Sequence, residues 1–171
     1  MRALVNYVGF QLGWLACVGS AANGHTGLGP SAALLLVGAH TAFVPNRARE
    51  LRRLAAIGVF GFLIESAALR AGLYSYAGGW PVGWLAPAWI VSLWILLGAT
   101  FESSLAWLDR RPGLAAAFGA VGSPLSFSAG VRLGAAHFLV PPPLGLAALS
   151  VLWAAAFPAA FVISRAAAME A

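Results

Sequence analysis

Four ionisable residues stand inside long apolar stretches of this chain: His40, Glu65, Glu102 and Arg132. A charge at membrane depth is costly, so such groups are the first candidates for chemistry. Glu102 and His40 together suit proton exchange, because a desolvated carboxylate holds its proton more tightly. Glu65 and Arg132 suit an ion pair, with Ser126 or Ser128 as hydrogen-bond donors and Asn6 or Gln11 as further polar partners. Three uses are open: a polar network holding helices in register, a ligand or proton site, or an acid/base pair of an enzyme. The candidate site is therefore Glu65, Glu102, His40, Arg132 and Ser126.

Several chemistries lack their residues. No histidines stand four apart and no Cys/His cluster exists, so neither a metal nor a cofactor is expected. There is no Gly-x-Ser-x-Gly elbow and no phosphate-binding glycine loop. Asp109 is the only aspartate, and it falls in a connection rather than beside a serine and a histidine. The single cysteine, Cys17, lies in an apolar run and reads as a small hydrophobe.

The elements that must position these groups are membrane helices. Hydrophobic residues make up 61% of the 171 and charged ones only 9%, which sets the chain apart from a soluble domain. A bilayer core takes about 20 apolar residues per helix. Six runs qualify, at 4–22, 27–45, 54–73, 85–108, 114–138 and 144–164. They use almost the whole chain, which predicts an all-α bundle of six transmembrane helices forming one integral membrane domain over 1–171. The first run resembles a signal peptide loosely, but Asn6 and Gln11 interrupt it, which favours a retained helix.

Arginines set the orientation. Arg2, the group Arg47, Arg49, Arg52 and Arg53, the pair Arg110 and Arg111, and Arg165 alternate with connections that have none. The positive-inside rule then puts both termini in the cytoplasm, with the chain multi-pass; the absence of Lys beside abundant Ala, Gly and Arg suggests a GC-rich bacterial genome, and hence the inner membrane. The net charge of +5 is explained by topology and anionic lipid headgroups, so no nucleic acid is expected as a partner. The outer connections are aromatic instead. Tyr74, Tyr76, Trp80 and Trp84 read as an interfacial belt, or as a lid over an outward pocket.

Depth and facing follow from helix geometry. Glu65 lies roughly 16 Å from the cytoplasmic edge, near the midplane, and Glu102 and His40 roughly 8–9 Å in. Gly58, Gly61, Ala68, Leu69 and Gly72 share the face of Glu65, so it should point into the bundle. Glu102 shares its face with Gly98, Ala99 and Ala106. Arg70 lies well round the helix from Glu65 and can snorkel outward. Arg132 lies towards the outer side and can reach Glu65 from a neighbouring helix. Gly122, Ser126, Gly130 and Gly134 form a small stripe on the fifth helix, expected to bury against a neighbour. Pro124 interrupts that helix and Pro158 the sixth. Ile64-Glu65-Ser66-Ala67 and Phe101-Glu102-Ser103-Ser104 are short echoes that an inverted repeat or chance explains.

Several segments, taken in order, resemble a known family. They are Phe10-Gln11-Leu12-Gly13-Trp14, Glu65 with Gly72 and Tyr74-Ser75-Tyr76, Pro87-Ala88-Trp89 with Leu93-Trp94, and residues 119–126 with Ala129-Gly130 and Leu133-Gly134-Ala135. This is similar to the small bacterial inner-membrane proteins grouped as domain of unknown function 2878. The resemblance implies a membrane protein without an assigned activity, tilts the reading towards lipid-linked work, and carries over no catalytic residue. The function expected is binding or accessory: a subunit handling a lipid or hydrophobic small molecule, in contact with membrane lipids and with room for a membrane-protein partner. The alternatives are an intramembrane lipid-modifying enzyme using Glu65, Glu102 and His40, and a substrate-binding subunit of a vitamin-uptake transporter.

Overall fold

The computed structural model describes residues 1–79 and 82–169; Trp80 and Pro81 of the third connection lie outside them. Six α-helices are present among the described residues: α1 Arg2–Ala22, α2 Leu28–Ala42, α3 Arg47–Arg70, α4 Ala88–Gly98, α5 Pro112–Leu133 and α6 Pro142–Met169. Three of them, α1, α5 and α6, are long and apolar enough to cross a membrane. Helix α3 has the length but carries Arg53, Glu65 and Arg70. Helices α2 and α4 are apolar but short. The bundle is greasy outside as well as inside. Leu12, Leu35, Leu63, Val121 and Val151, from five different helices, are all exposed, as lipid-facing positions would be.

Two of the expected helices end early for a local reason. The run 114–138 is helical only to Leu133. Gly134 takes a left-handed conformation (φ 88°) that a side chain would strain, and the Ala135 amide bonds back to the Gly130 carbonyl, closing the helix. Helix α3 closes the same way: Gly72 has φ 70° and the Leu73 amide reaches the Ala68 carbonyl. Each closure releases a three-residue strand, β1 (Tyr74–Tyr76) and β2 (Ala136–Phe138). They pair antiparallel, Tyr74 opposite Phe138 and Tyr76 opposite Ala136. The bundle therefore carries a small sheet at one end, which the helical runs did not predict.

The run 85–108 is α-helical only over Ala88–Gly98, with one short 3-10 turn at Ala106–Leu108. Its C-terminal carbonyls are captured by side chains from other helices. The Arg53 guanidinium donates to the Gly98 carbonyl (3.3 Å) and Asn6 Nδ2 donates to the Ala99 carbonyl (3.0 Å). Asn6 Oδ1 then accepts from the Ser104 hydroxyl (2.7 Å), fixing the turns that follow. Glu102 thus sits on a turn, and the helical face assigned to it with Gly98 and Ala106 does not exist.

Glycines set the close contacts. A Cβ on Gly61 would fall within the Trp94 indole, and one on Gly119 would meet the Trp153 carbonyl and Phe157. Trp94 stacks on Trp153 (4.6 Å between ring centres), joining α3, α4 and α6 through one aromatic column. The small stripe of α5 behaves differently from expectation. A Cβ on Gly130 or Gly134 would meet nothing within 4 Å, and one on Gly122 only the edge of Phe118. The stripe faces open space, and α5 packs on α6 through Gly119 instead. Substitutions should separate the two kinds of glycine. Gly61→Ala should cost about 1–3 kcal/mol of unfolding free energy in detergent through overpacking. Gly130→Ala should gain roughly 0.4–1 kcal/mol by stiffening the unfolded chain. Equal effects at the two positions would contradict this packing.

Candidate functional site

The space beside the α5 stripe is a cavity of about 570 Å³ between α1, α4, α5 and α6. Its α1 wall is Tyr7, Phe10, Gln11, Trp14 and Val18, spaced to fall on one face of a helix. At 1.5 Å per residue that wall is roughly 16 Å long. The lining is overwhelmingly aromatic and aliphatic, with Trp14, Trp89, Trp94 and Trp153 among its residues. Ligand pockets have this make-up: a largely apolar lining with a few placed polar groups.

Among the described residues, one carboxyl group lines it, that of Glu65. It is 2% exposed. The Tyr74 and Tyr76 hydroxyls both donate to its Oε2 (2.8 Å each), and Trp94 Nε1 donates to Oε1 (3.3 Å). The β1 strand makes this possible. Residues two apart on a strand share a face, so both hydroxyls turn to the same carboxyl. The strand in turn is held by β2 and by Trp89 Nε1, which donates to the Ala77 carbonyl (3.0 Å). Gly61, one turn before Glu65 on α3, admits the Trp94 ring to its place.

Ser126 also lines the cavity. It accepts a hydrogen bond from Trp14 Nε1 (2.9 Å), which ties α1 to α5. Ser126 is exposed and Trp14 half-buried, so this bond lies at a side of the bundle where the cavity wall is thin.

Arg132 is not the partner of Glu65. It is exposed in the last turn of α5, where a cation suits the carbonyl end of a helix. Neutral donors occupy the place next to Glu65 that was assigned to it. Asn6 and Gln11 do not join Glu65 either: Asn6 ties α1 to the turns after α4, and Gln11 donates to the Tyr7 hydroxyl (2.9 Å). Nor are Tyr74 and Tyr76 an interfacial belt, since Tyr74 is wholly buried. Among the described residues of that group, Trp84 keeps an interfacial character, with the Arg70 guanidinium 5.4 Å above its ring.

His40 and Glu102 belong to the opposite end of the molecule, and neither lines the cavity. His40 Nε2 lies 2.9 Å from Glu50 Oε1. Glu50 and Arg53, both buried, form a two-pronged pair (3.0 Å each), and Arg53 also reaches the Ser164 hydroxyl (2.5 Å) on α6. Glu102 is half exposed, forks onto Arg49 (2.7 and 3.0 Å) and lies 3.8 Å from Arg53 Nε, at the edge of the buried pair. Arg165 pairs with Asp109. Glu50 and Arg53 were missed because they fall in an arginine-rich segment that reads as a cytoplasmic connection. The available signal was the i, i+3 spacing of opposite charges at a helix start.

The two kinds of ion pair should respond differently to neutralisation. Arg53→Gln leaves Glu50 buried without its cation and should cost about 3–5 kcal/mol. Glu102→Gln removes a solvent-screened pair and should cost about 0–1 kcal/mol. Denaturant unfolding in detergent checks both, and a larger loss for Glu102→Gln would reverse the assignment.

The fold and the cavity together define a helical-bundle protein with helices long enough to span a membrane and a large apolar chamber holding one carboxyl group. Residues 3–159 match the family described as protein of unknown function DUF2878, and the chain belongs to that family. No curated protein and no solved structure matches it.

Proposed function

We propose that this protein is a single membrane-embedded unit of the bacterial inner membrane that holds a hydrophobic small molecule or lipid in its central cavity. The observation that carries the reading is the cavity itself: about 570 Å³, with a mainly apolar lining rich in aromatic rings. A space of that size and lining excludes little apolar matter and offers water few partners.

Six spans with both termini cytoplasmic are part of the proposal. The arginine alternation supports it. So do the contacts that gather the start of α1, the end of α2, the start of α3 and the ends of α4 and α6 at one end of the bundle. Short α4 is compatible with a span, because Ala99, Thr100 and Phe101 beyond it are buried in protein. Irregular backbone at membrane depth is tolerated where protein rather than lipid surrounds it.

Binding is favoured over catalysis by where the acid/base candidates lie. An enzyme built on Glu65, Glu102 and His40 needs them at one place. Only Glu65 lines the cavity, while His40 and Glu102 are engaged with Glu50 and Arg49.

Native mass spectrometry of gently extracted protein tests the reading. The wild type should carry a bound hydrophobic molecule. Gly130→Phe, which projects a ring from an open position of the wall, should lose it while unfolding cooperatively like the wild type. A wild type that carries no adduct, or a variant that retains it fully, would sink the proposal.

A further inference from the structure

We propose that the molecule held in the cavity carries a positive charge on an apolar body, and that Glu65 with the rings of Tyr76, Trp89 and Trp153 recognises that charge. The inference rests on the cavity being a binding site and adds the chemical class of its occupant.

Three observations lead to it. The first is a charge imbalance. Glu65 makes no ion pair with any described residue, and no arginine or histidine lines the cavity. Its three partners are neutral donors. A cation beside this acid favours its ionised form and an anion disfavours it, and the low dielectric strengthens both effects.

The second is unused acceptor capacity. A carboxylate offers about four lone-pair sites. Oε2 receives two short bonds, whereas Oε1 receives a single long one, 3.3 Å from the Trp94 indole. Oε1 therefore keeps acceptor capacity for an ammonium proton, or for the polarised methyl groups of a quaternary amine.

The third is the arrangement of rings. Tyr76 and Trp94 touch Glu65 directly. Trp89 stands edge-on to Tyr76 (5.2 Å) and Trp153 stacks on Trp94 (4.6 Å), and all four line the cavity. Trp94 is covered by Gly61 on one face and by Trp153 on the other, so Tyr76, Trp89 and Trp153 are the rings left to offer a face to a ligand. Aromatic faces near a carboxyl group suit organic ammonium groups, because they carry negative charge density. The rest of the chamber, along Phe10, Leu97, Leu105, Phe118 and Phe157, is apolar and takes the body of the ligand.

The test uses chain-matched probes: dodecyltrimethylammonium, dodecanol and dodecanoate. Each is titrated into the full chain in nanodiscs of a zwitterionic lipid, with tryptophan fluorescence as the readout and empty nanodiscs subtracted. The wild type should bind the ammonium probe roughly tenfold or more tighter than the alcohol, and the carboxylate weakest. Glu65→Gln should bind the alcohol as before and lose the preference. If Glu65→Gln does not fold, the ranking of the three probes on the wild type decides alone. Equal affinity for all three probes, or a preference for dodecanoate, would overturn the charge recognition and leave the cavity as a binding site. Failure of every probe to bind would overturn the binding site as well.

Discussion

A carboxyl group buried in an apolar bundle has to find hydrogen-bond donors, and the chain supplies them from outside the helices. Glu65 is almost fully buried. An unsatisfied buried acid costs more than one side-chain hydrogen bond returns. The donors come from a strand that exists because α3 stops at Gly72, and that strand is held because α5 stops at Gly134 and provides its partner. The early helix ends, the small sheet and the inward turn of Tyr74 and Tyr76 are one solution to one requirement. The third donor, Trp94, depends on Gly61 and on stacking against Trp153, which draws α4 and α6 into the same arrangement.

The opposite end solves a similar problem with charges. Arg53 is 1% exposed and spends its donors on Glu50, Ser164 and the Gly98 carbonyl. This one guanidinium links α3 to α6 and helps end α4. With both ends pinned, α5 is left to pack on α6 through Gly119, and its small stripe stands clear of α1. The cavity is the space between them, bridged by the Trp14–Ser126 hydrogen bond.

Much of the helical framework was legible in the sequence because long apolar runs and α-helices share one physical cause in a membrane: the backbone must bond to itself. The inward facing of Glu65 was legible too, from the glycines one and two turns along α3. What was not legible has identifiable reasons. Gly72 and Gly134 sit inside apolar runs, where a helix-ending glycine looks the same as a packing glycine. Glycine spacing on α5 signals closeness to something, but not whether that is a helix or an empty space. Tyr74 and Tyr76 have the composition of an interfacial belt, and only strand pairing turns them inward. Arg53 reads as a topology signal until its neighbours from α4 and α6 are known, since those partners are distant in sequence. Matching Glu65 with Arg132 applied a sound rule about buried charges but overlooked neutral donors on the nearer segment.

The central claim, that Glu65 is held by the tyrosines of the short strand, is tested most directly by a double-mutant cycle between Glu65→Gln and Tyr74→Phe, read as unfolding free energy in detergent. Tyr74 has its hydroxyl 2.8 Å from Glu65 Oε2 and lies wholly inside the bundle. The two changes should be non-additive, with a coupling of about 0.5–3 kcal/mol, as for residues sharing a buried hydrogen bond. Additive effects, with no coupling beyond about 0.3 kcal/mol, would mean that strand and carboxyl are held independently, and would contradict the account.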